Sequence, residues 1–257
     1  MLSNEQIASA IQASPIVEDV DVFRINPDDR EFAVPAAWLS FPEMDPAERV
    51  ISALEAWKRV PGDSLNNLIA VLEESAGVAL VRLRASDPPS TKIALAYVIL
   101  NSDGDSRIFV GHPPSREIRS LPYSDLLPED FVEFYSTVHN GLVVEPYEDG
   151  SGPGLVPAGE FETWAEESGQ ALTGDLQFGW LDESQPLPDP NRLVGTWSAE
   201  RSAASILINL DAPQVFDVVG GVLTEKAHGR YSALAIACSY YLGFLRTWEE
   251  VDALYPI

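Results

Sequence analysis

Cysteine, basic residues and long apolar runs are all scarce in this sequence of 257 residues. The single cysteine, Cys238, excludes an internal disulfide and is typical of a protein from a reducing compartment. No apolar run approaches the roughly 20 residues that a membrane-spanning helix needs. The first residues also lack the basic and apolar segments of a secretion signal. Together these absences predict a cytoplasmic protein.

Basic residues are outnumbered, with 16 Lys and Arg against 40 Asp and Glu and a formal net charge of −24. Such a surface repels nucleic acid and anionic membranes, because both are bound through basic residues. It attracts basic proteins and speeds their encounter. High negative charge also serves solubility alone. The composition therefore predicts neither a nucleic-acid nor a membrane partner, and is compatible with a basic protein partner.

The charge is unevenly distributed, since no Lys or Arg occurs between Arg119 and Arg192. A field of one sign costs self-repulsion, which a basic partner would relieve. The carboxylates of this segment are Asp125, Glu129, Asp130, Glu133, Glu145, Glu148, Asp149, Glu160, Glu162, Glu166, Glu167, Asp175, Asp182, Glu183 and Asp189.

The first 119 residues predict a mixture of helices and strands. Asp45 is the expected N-cap of a helix with Pro46 at its first position, and Asp63 is the expected N-cap of the next helix. The segment from Pro35 to Phe41 is expected to be a buried strand or loop. Apolar periodicity predicts helices over 5–12, 46–58 and 63–74, and strands over 17–23, 78–83, 92–100 and 107–110, the last two joined by a turn at 102–105.

The second half begins with the best-defined local signal of the chain. Pro128 suits the first turn of a helix, and the helix is expected to stop at Asn140-Gly141, which tolerate a left-handed conformation. Its apolar stripe is Phe131, Phe134, Tyr135 and Val138. Beyond it we expect helices over 160–167 and 231–253, and strands over 176–181, 203–210 and 215–219.

One four-residue motif suggests an enzyme. Gly62-Asp63-Ser64-Leu65 spells the motif of the GDSL hydrolases, whose serine is a nucleophile. That motif follows a strand, whereas here it follows a predicted helix end. The family's Asp-x-x-His is absent, and the chain offers only a glutamate, Glu225, three residues before His228. A helix N-cap at Asp63 or Ser64 is the simpler interpretation.

Metal chemistry has no clear basis in the sequence. His112, His139 and His228 lie on separate predicted elements without ligand-like spacing. His139 is expected to interact favourably with the C-terminal end of the preceding helix. Residues 103–105 share only two acids and a glycine with a calcium loop, and Cys238 is expected in the core. With no catalytic or metal constellation, the sequence favours a binding protein without enzymatic activity.

Three segments of the second half are similar to the sequence patterns of one known family. They are LPEDFVEFYSTVHNG at 127–141, Leu-Val-Pro at 155–157 before the Phe161–Trp164 segment, and the strand pair at 205–211 and 214–217 before a final helix containing 241–248. Together they resemble the SUKH superfamily, which contains bacterial immunity proteins of toxin systems and fungal cell-wall synthesis regulators. One departure is Leu142, where the family often has a second glycine.

The resemblance implies an α+β fold with a mixed or antiparallel sheet flanked by helices in residues 120–257. Residues 1–119 would then be an additional α/β region, either a second domain or an extension of the same sheet. No cofactor is implied. Bacterial members of this kind bind a cognate toxin, often a nuclease or another enzyme that acts inside cells, and block it.

We therefore expect an immunity protein that neutralises a basic toxin through its acidic surface. A regulatory protein-interaction scaffold and a hydrolase using Ser64 are the alternatives. The expected partner-binding residues are Asp125, Glu129, Asp130, Glu133, Glu145, Glu148, Asp149, Asp182 and Glu183.

Overall fold

A computed structural model describes residues 2–13, 34–86, 89–100, 106–144, 152–168, 177–178, 188–198, 205–219, 222–225 and 232–245. The predicted strand over 17–23 and the turn at 102–105 lie outside these residues. So do His228 and residues 246–253 of the predicted last helix.

The described α-helices are α1 (Asn4–Ala13), α2 (Pro46–Trp57), α3 (Asn66–Ser75), α4 (Glu129–Thr137), α5 (Trp164–Ser168) and α6 (Ala233–Phe244). Short 3-10 helices cover Ala36–Glu43, Arg116–Ser120, Ser124–Leu126, Ala158–Glu160 and Pro190–Arg192. The described strands are β1 (Ala76–Ser86), β2 (Pro89–Leu100), β3 (Ser106–Gly111), β4 (Leu142–Val144), β5 (Gly154–Leu155), β6 (Glu162–Thr163), β7 (Gln177–Phe178), β8 (Leu193–Gly195), β9 (Trp197–Ser198), β10 (Ser205–Asn209), β11 (Val215–Val219) and β12 (Val222–Glu225).

The first sheet has the strand order β1-β2-β3-β4-β5-β9, and all its neighbours are antiparallel. Its side chains alternate between two apolar faces, as the period of a strand requires. Ile7, Ala10 and Ile11 of α1 cover one face. The other face belongs to the main core, to which α2, α3, α4 and α6 contribute. A sheet buried on both faces explains why β2 is apolar at every position from Ile93 to Leu100.

The second sheet has the order β6-β8-β10-β11-β12-β7 and is mixed, because β12 and β7 run parallel while its other pairs are antiparallel. The chain crosses between the sheets at Thr196, which separates β8 from β9. The predicted strand pair at 203–210 and 215–219 forms as β10 and β11. The predicted α+β class, with sheets flanked by helices, is confirmed.

The sheet and the core both extend across residue 119. Strand β3, from the first region, pairs with β4, from the second, through partners such as Val110 and Val143. The main core contains Trp57 and Tyr97 from the first region as well as Phe134 and Tyr241 from the second. The two regions therefore share a sheet and a hydrophobic core.

Three local predictions are wrong. Residues 36–43 form a 3-10 helix that buries Trp38 and Phe41, not a strand. Helix α3 begins at Asn66, with Leu65 as its N-cap and no side-chain cap, so Asp63 does not cap it. Residues 160–163 precede α5, which begins at Trp164. Its start is set locally, because Glu166 accepts hydrogen bonds from the N–H and the hydroxyl of Thr163 at 2.8 and 2.9 Å.

Helix α2 confirms its predicted cap and contains a buried arginine that its sequence pattern did not reveal. Asp45 accepts a 2.9 Å bond from the N–H of Glu48, whose carboxylate reaches back to Asp45. On the buried side, Nη1 of Arg49 donates to the carbonyl of Val78 at 2.9 Å, and Nη2 donates to the Asn4 side chain. Arg49 thus joins α1, α2 and β1, because a buried guanidinium needs polar partners.

No helix among the described residues is long and apolar enough to cross a membrane.

Candidate partner-binding surface

Helix α4 carries three of the predicted contact residues, Glu129, Asp130 and Glu133. Its apolar stripe is buried as expected. Phe131, Phe134, Tyr135 and Val138 are at most 3% exposed. Pro128 is the N-cap, and the helix ends at Thr137 with Val138 as its C-cap, slightly before Asn140-Gly141. The stripe fixes which residues of α4 face outward, so the carboxylates on its other side are held on a rigid element.

Two side chains anchor α4 and the turn after it to the segment that follows β5. The Tyr135 hydroxyl donates to the carbonyl of Val156 at 2.7 Å, and the amide oxygen of Asn140 accepts from the N–H of Ala158 at 2.9 Å. Gly141 has φ +93°, and a Cβ there would lie 2.9 Å from the carbonyl oxygen of Leu155. The two segments 127–141 and 155–157 are therefore in direct contact.

Helix α6 completes this junction through Tyr241. Its buried hydroxyl donates to the carbonyl of Leu142 and accepts from the N–H of Leu155 at 3.0 Å. These backbone groups belong to the paired strands β4 and β5. Parts of all three segments that carry the family resemblance thus meet in the core, where their hydrogen bonds stabilise the fold.

The four predicted contact residues near α4 differ in their availability. Asp125 and Glu129 are exposed, whereas Asp130 and Glu133 are half-buried. Glu133 is engaged by Arg119, whose Nη2 lies 2.7 Å from its Oε2 and also donates to Ser136 at 3.0 Å. The last basic residue before the acidic segment therefore folds back and neutralises one of its carboxylates.

Asp130 is hydrogen-bonded within the protein by Ser64, the serine of the motif that suggested a hydrolase. Its Oδ2 accepts a 2.8 Å hydrogen bond from the Ser64 hydroxyl, which also lies 3.0 Å from the hydroxyl of Ser232. Ser232 in turn caps α6 by accepting from the N–H of Ala235. This network joins the loop before α3 to the starts of α4 and α6. Among the described contacts the Ser64 hydroxyl bonds to Asp130 and lies near Ser232, whereas His228, the histidine of the hydrolase alternative, lies outside the described residues.

Five of the predicted contact residues, Glu145, Glu148, Asp149, Asp182 and Glu183, lie outside the described residues. Farther along the acidic segment, Glu162, Glu166 and Glu167 are exposed. Desolvation and the neighbouring charge of Glu162 raise the pKa of Glu167. Like charges in this part of the segment therefore repel one another, as the missing Lys and Arg lead one to expect.

His139 has a different role from the predicted charge at the end of a helix. It is 1% exposed, and burial lowers its pKa to about 3. A neutral ring cannot act as a cation toward the helix dipole, so that prediction is wrong. Its Nε2 lies 2.8 Å from the Tyr97 hydroxyl and its Nδ1 lies 3.0 Å from the carbonyl oxygen of His112.

The described residues also bear on metal binding and on buried space. They contain no cluster of His, Cys, Asp or Glu that could hold a metal ion. An apolar gap lined by Trp57, Leu68, Leu72, Tyr97, Phe109 and Leu142 has no room for a water molecule. Cys238 is buried as predicted, and desolvation raises the pKa of its thiol to about 12.

Comparison with known proteins gives no match: neither a protein-family model, nor a curated protein, nor a solved structure is significantly similar to this chain.

Proposed function

We propose that this chain is a non-enzymatic immunity protein that binds a basic cognate toxin and neutralises it. The observation that carries the proposal is the pair of exposed carboxylates, Asp125 in the 3-10 helix before α4 and Glu129 at the start of α4, in a segment without Lys or Arg. Long-range attraction between such a surface and a basic one raises the association rate. Speed matters to an inhibitor that must bind before its target acts.

The buried contacts of α4 support this proposal by holding the carboxylates in place. A surface that needs no ordering on binding loses less conformational entropy when it meets its partner. Asp130 and Glu133 contribute less to partner binding, because their carboxylates already interact with Ser64 and Arg119. The proposed contacts therefore centre on Asp125 and Glu129.

The test is co-expression with the product of the neighbouring gene. The proposal expects the wild-type chain to restore growth of cells that produce this toxin, and expects the purified proteins to bind each other more weakly as salt increases. The double variant Asp125→Lys, Glu129→Lys should lower the association rate constant by roughly tenfold or more. The matched control is the double variant Glu55→Lys, Glu73→Lys, which changes the net charge by the same amount at carboxylates that already pair with Arg59 and Lys58. No binding by the wild-type chain, or equal losses in both variants, contradicts the proposal.

A further inference from the structure

The junction between α4 and β4 is closed by a buried chain of hydrogen bonds in which every proton can be assigned. Nδ1 of His139 faces the carbonyl oxygen of His112, which can only accept, so Nδ1 carries the proton. Nε2 is then the acceptor for the Tyr97 hydroxyl. The Tyr97 oxygen accepts in turn from Nε1–H of Trp57 at 2.9 Å. This sequence of partners requires the neutral Nδ1–H form of the His139 ring.

The carbonyl of His112 also ties the two segments together through the backbone. It accepts from the N–H of Asn140 at 3.3 Å, and the N–H of His112 donates to the carbonyl of Gly141 at 3.3 Å. The ring of His139 lies flat against Gly111, where a Cβ would come within 2.4 Å of Nδ1. The ring therefore has no space to turn toward another partner without moving β3 or the segment after α4.

A second proton on His139 would conflict with this arrangement. Both Nε2–H and the Trp57 N–H would then point at the Tyr97 oxygen, and the Tyr97 proton would lose its acceptor. A charge in an apolar surrounding also costs several kcal/mol unless it is paired. We infer that His139 is an acid-sensitive lock, whose protonation breaks this chain of bonds and releases the segment after α4 from the end of β3.

The surroundings of the ring supply no compensating negative charge among the described residues. Trp38, Trp57 and Phe134 pack against it and do not titrate. Tyr97 titrates far above neutral pH, since burial raises its pKa. His112 is also buried, and desolvation together with the charge of Lys92 lowers its pKa to about 4. Both histidines are therefore neutral in the folded protein at physiological pH.

Because the pKa values of both histidines are lowered by folding, acid should destabilise the folded protein. A histidine whose pKa is lower in the folded state than in the unfolded chain contributes full stability above pH about 6.5, and this stability falls as the pH drops toward the folded value. From pH 7.5 to 5.0, each such histidine increases the unfolding equilibrium constant about 30-fold. Glu167 acts in the opposite sense, because desolvation and the charge of Glu162 raise its pKa.

The test compares wild type with His139→Gln, which keeps a neutral polar side chain, in urea unfolding at pH 7.5, 6.0 and 5.0. The inference expects the unfolding constant of the wild type to rise about 30-fold more than that of the variant between pH 7.5 and 5.0. Equal acid dependence of the two proteins would overturn it.

A measurement on the wild type alone covers the case in which His139→Gln does not fold. Nitrogen chemical shifts of the His139 ring should report the neutral Nδ1–H form at pH 6. Amide hydrogen exchange, corrected for the intrinsic pH dependence, should show that Asn140 and His112 lose protection on acidification before Ala79 and Ala96 of the β1–β2 ladder. A charged His139 at pH 6 with unchanged protection at Asn140 would refute the lock. This inference does not depend on the proposed function, so either can fail alone.

Discussion

The amide oxygen of Asn140 accepts a 2.9 Å hydrogen bond from the backbone N–H of Ala158, which lies 18 positions farther along the chain. Asn140→Ala removes this acceptor from the N–H of Ala158, a residue that is buried. We expect a loss of about 1–2 kcal/mol in the free energy of unfolding, the usual cost of orphaning such a group. Urea denaturation measures it. Asn140→Asp retains an acceptor oxygen and should lose less, so a larger loss in the aspartate variant would contradict the hydrogen-bond explanation.

Gly141, the next residue, has a steric requirement in addition to its positive φ. Gly141→Ala would place a Cβ 2.9 Å from both the Leu155 carbonyl oxygen and the Pro157 nitrogen. Gly62 provides the matched control, because its φ of +87° is similar and nothing lies within 4 Å of its Cβ position. We expect Gly62→Ala to cost roughly 1 kcal/mol from backbone strain, and Gly141→Ala to cost clearly more. Equal thermal shifts for the two variants would show that the close approach is unimportant.

Local signals in the sequence identified most elements that are governed by short-range rules. The cap at Asp45, the stripe of α4 and the β10–β11 pair all depend on residues within one element or one turn, and all form. The cap at Asp63 fails although its residue type is suitable. The adjacent Ser64 hydroxyl bonds to Asp130, 66 positions away, which is a tertiary contact that no local pattern contains.

At the candidate surface, too, local signals were predictable from the sequence and tertiary contacts were not. Sequence alone placed four carboxylates around α4, but it could not distinguish the exposed pair from the engaged pair. Arg119 lies 14 residues before Glu133 and reaches it only because the 3-10 helix Arg116–Ser120 packs beside α4. The role of His139 was missed for the same reason, since Tyr97 and Trp57 come from two other elements.

The Ser64–Asp130 bond predicts coupling between two residues that are far apart in the sequence. Ser64→Ala and Asp130→Ala each remove one partner of this bond and should each lower the free energy of unfolding by at least about 1 kcal/mol. The double variant should lose less than the sum of the two single losses, with a coupling energy of roughly 0.5–2 kcal/mol. A double-mutant cycle by urea denaturation gives this value. Strict additivity would mean that the hydrogen bond contributes nothing, and any esterase activity lost in Ser64→Ala would revive the hydrolase alternative.

Tyr241 offers a test of the junction between α6 and the first sheet. Tyr241→Phe keeps the ring but leaves the Leu142 carbonyl and the Leu155 N–H without their hydroxyl partner. We expect a loss of about 2–4 kcal/mol, because two buried backbone groups lose their partner together. Tyr135→Phe is the control, since its hydroxyl is also buried but donates a single hydrogen bond among the described contacts, to the carbonyl of Val156 at 2.7 Å. A larger thermal shift in Tyr135→Phe than in Tyr241→Phe would argue against this account.

Arg119 gives the sharpest prediction about the acidic surface, because its removal should improve binding. Arg119→Gln frees the carboxylate of Glu133, and it deletes a positive charge that contacts α4. Both side chains of the pair are partly exposed, at 51% and 30%, so the free energy of unfolding should change by less than about 1 kcal/mol. The association rate with the proposed toxin should rise roughly twofold at low salt, and the gain should vanish at high salt. Arg59→Gln changes the net charge equally, but it frees Glu55 on α2 instead. Stopped-flow association at two ionic strengths separates the variants, and an equal gain in both would show that only total charge matters.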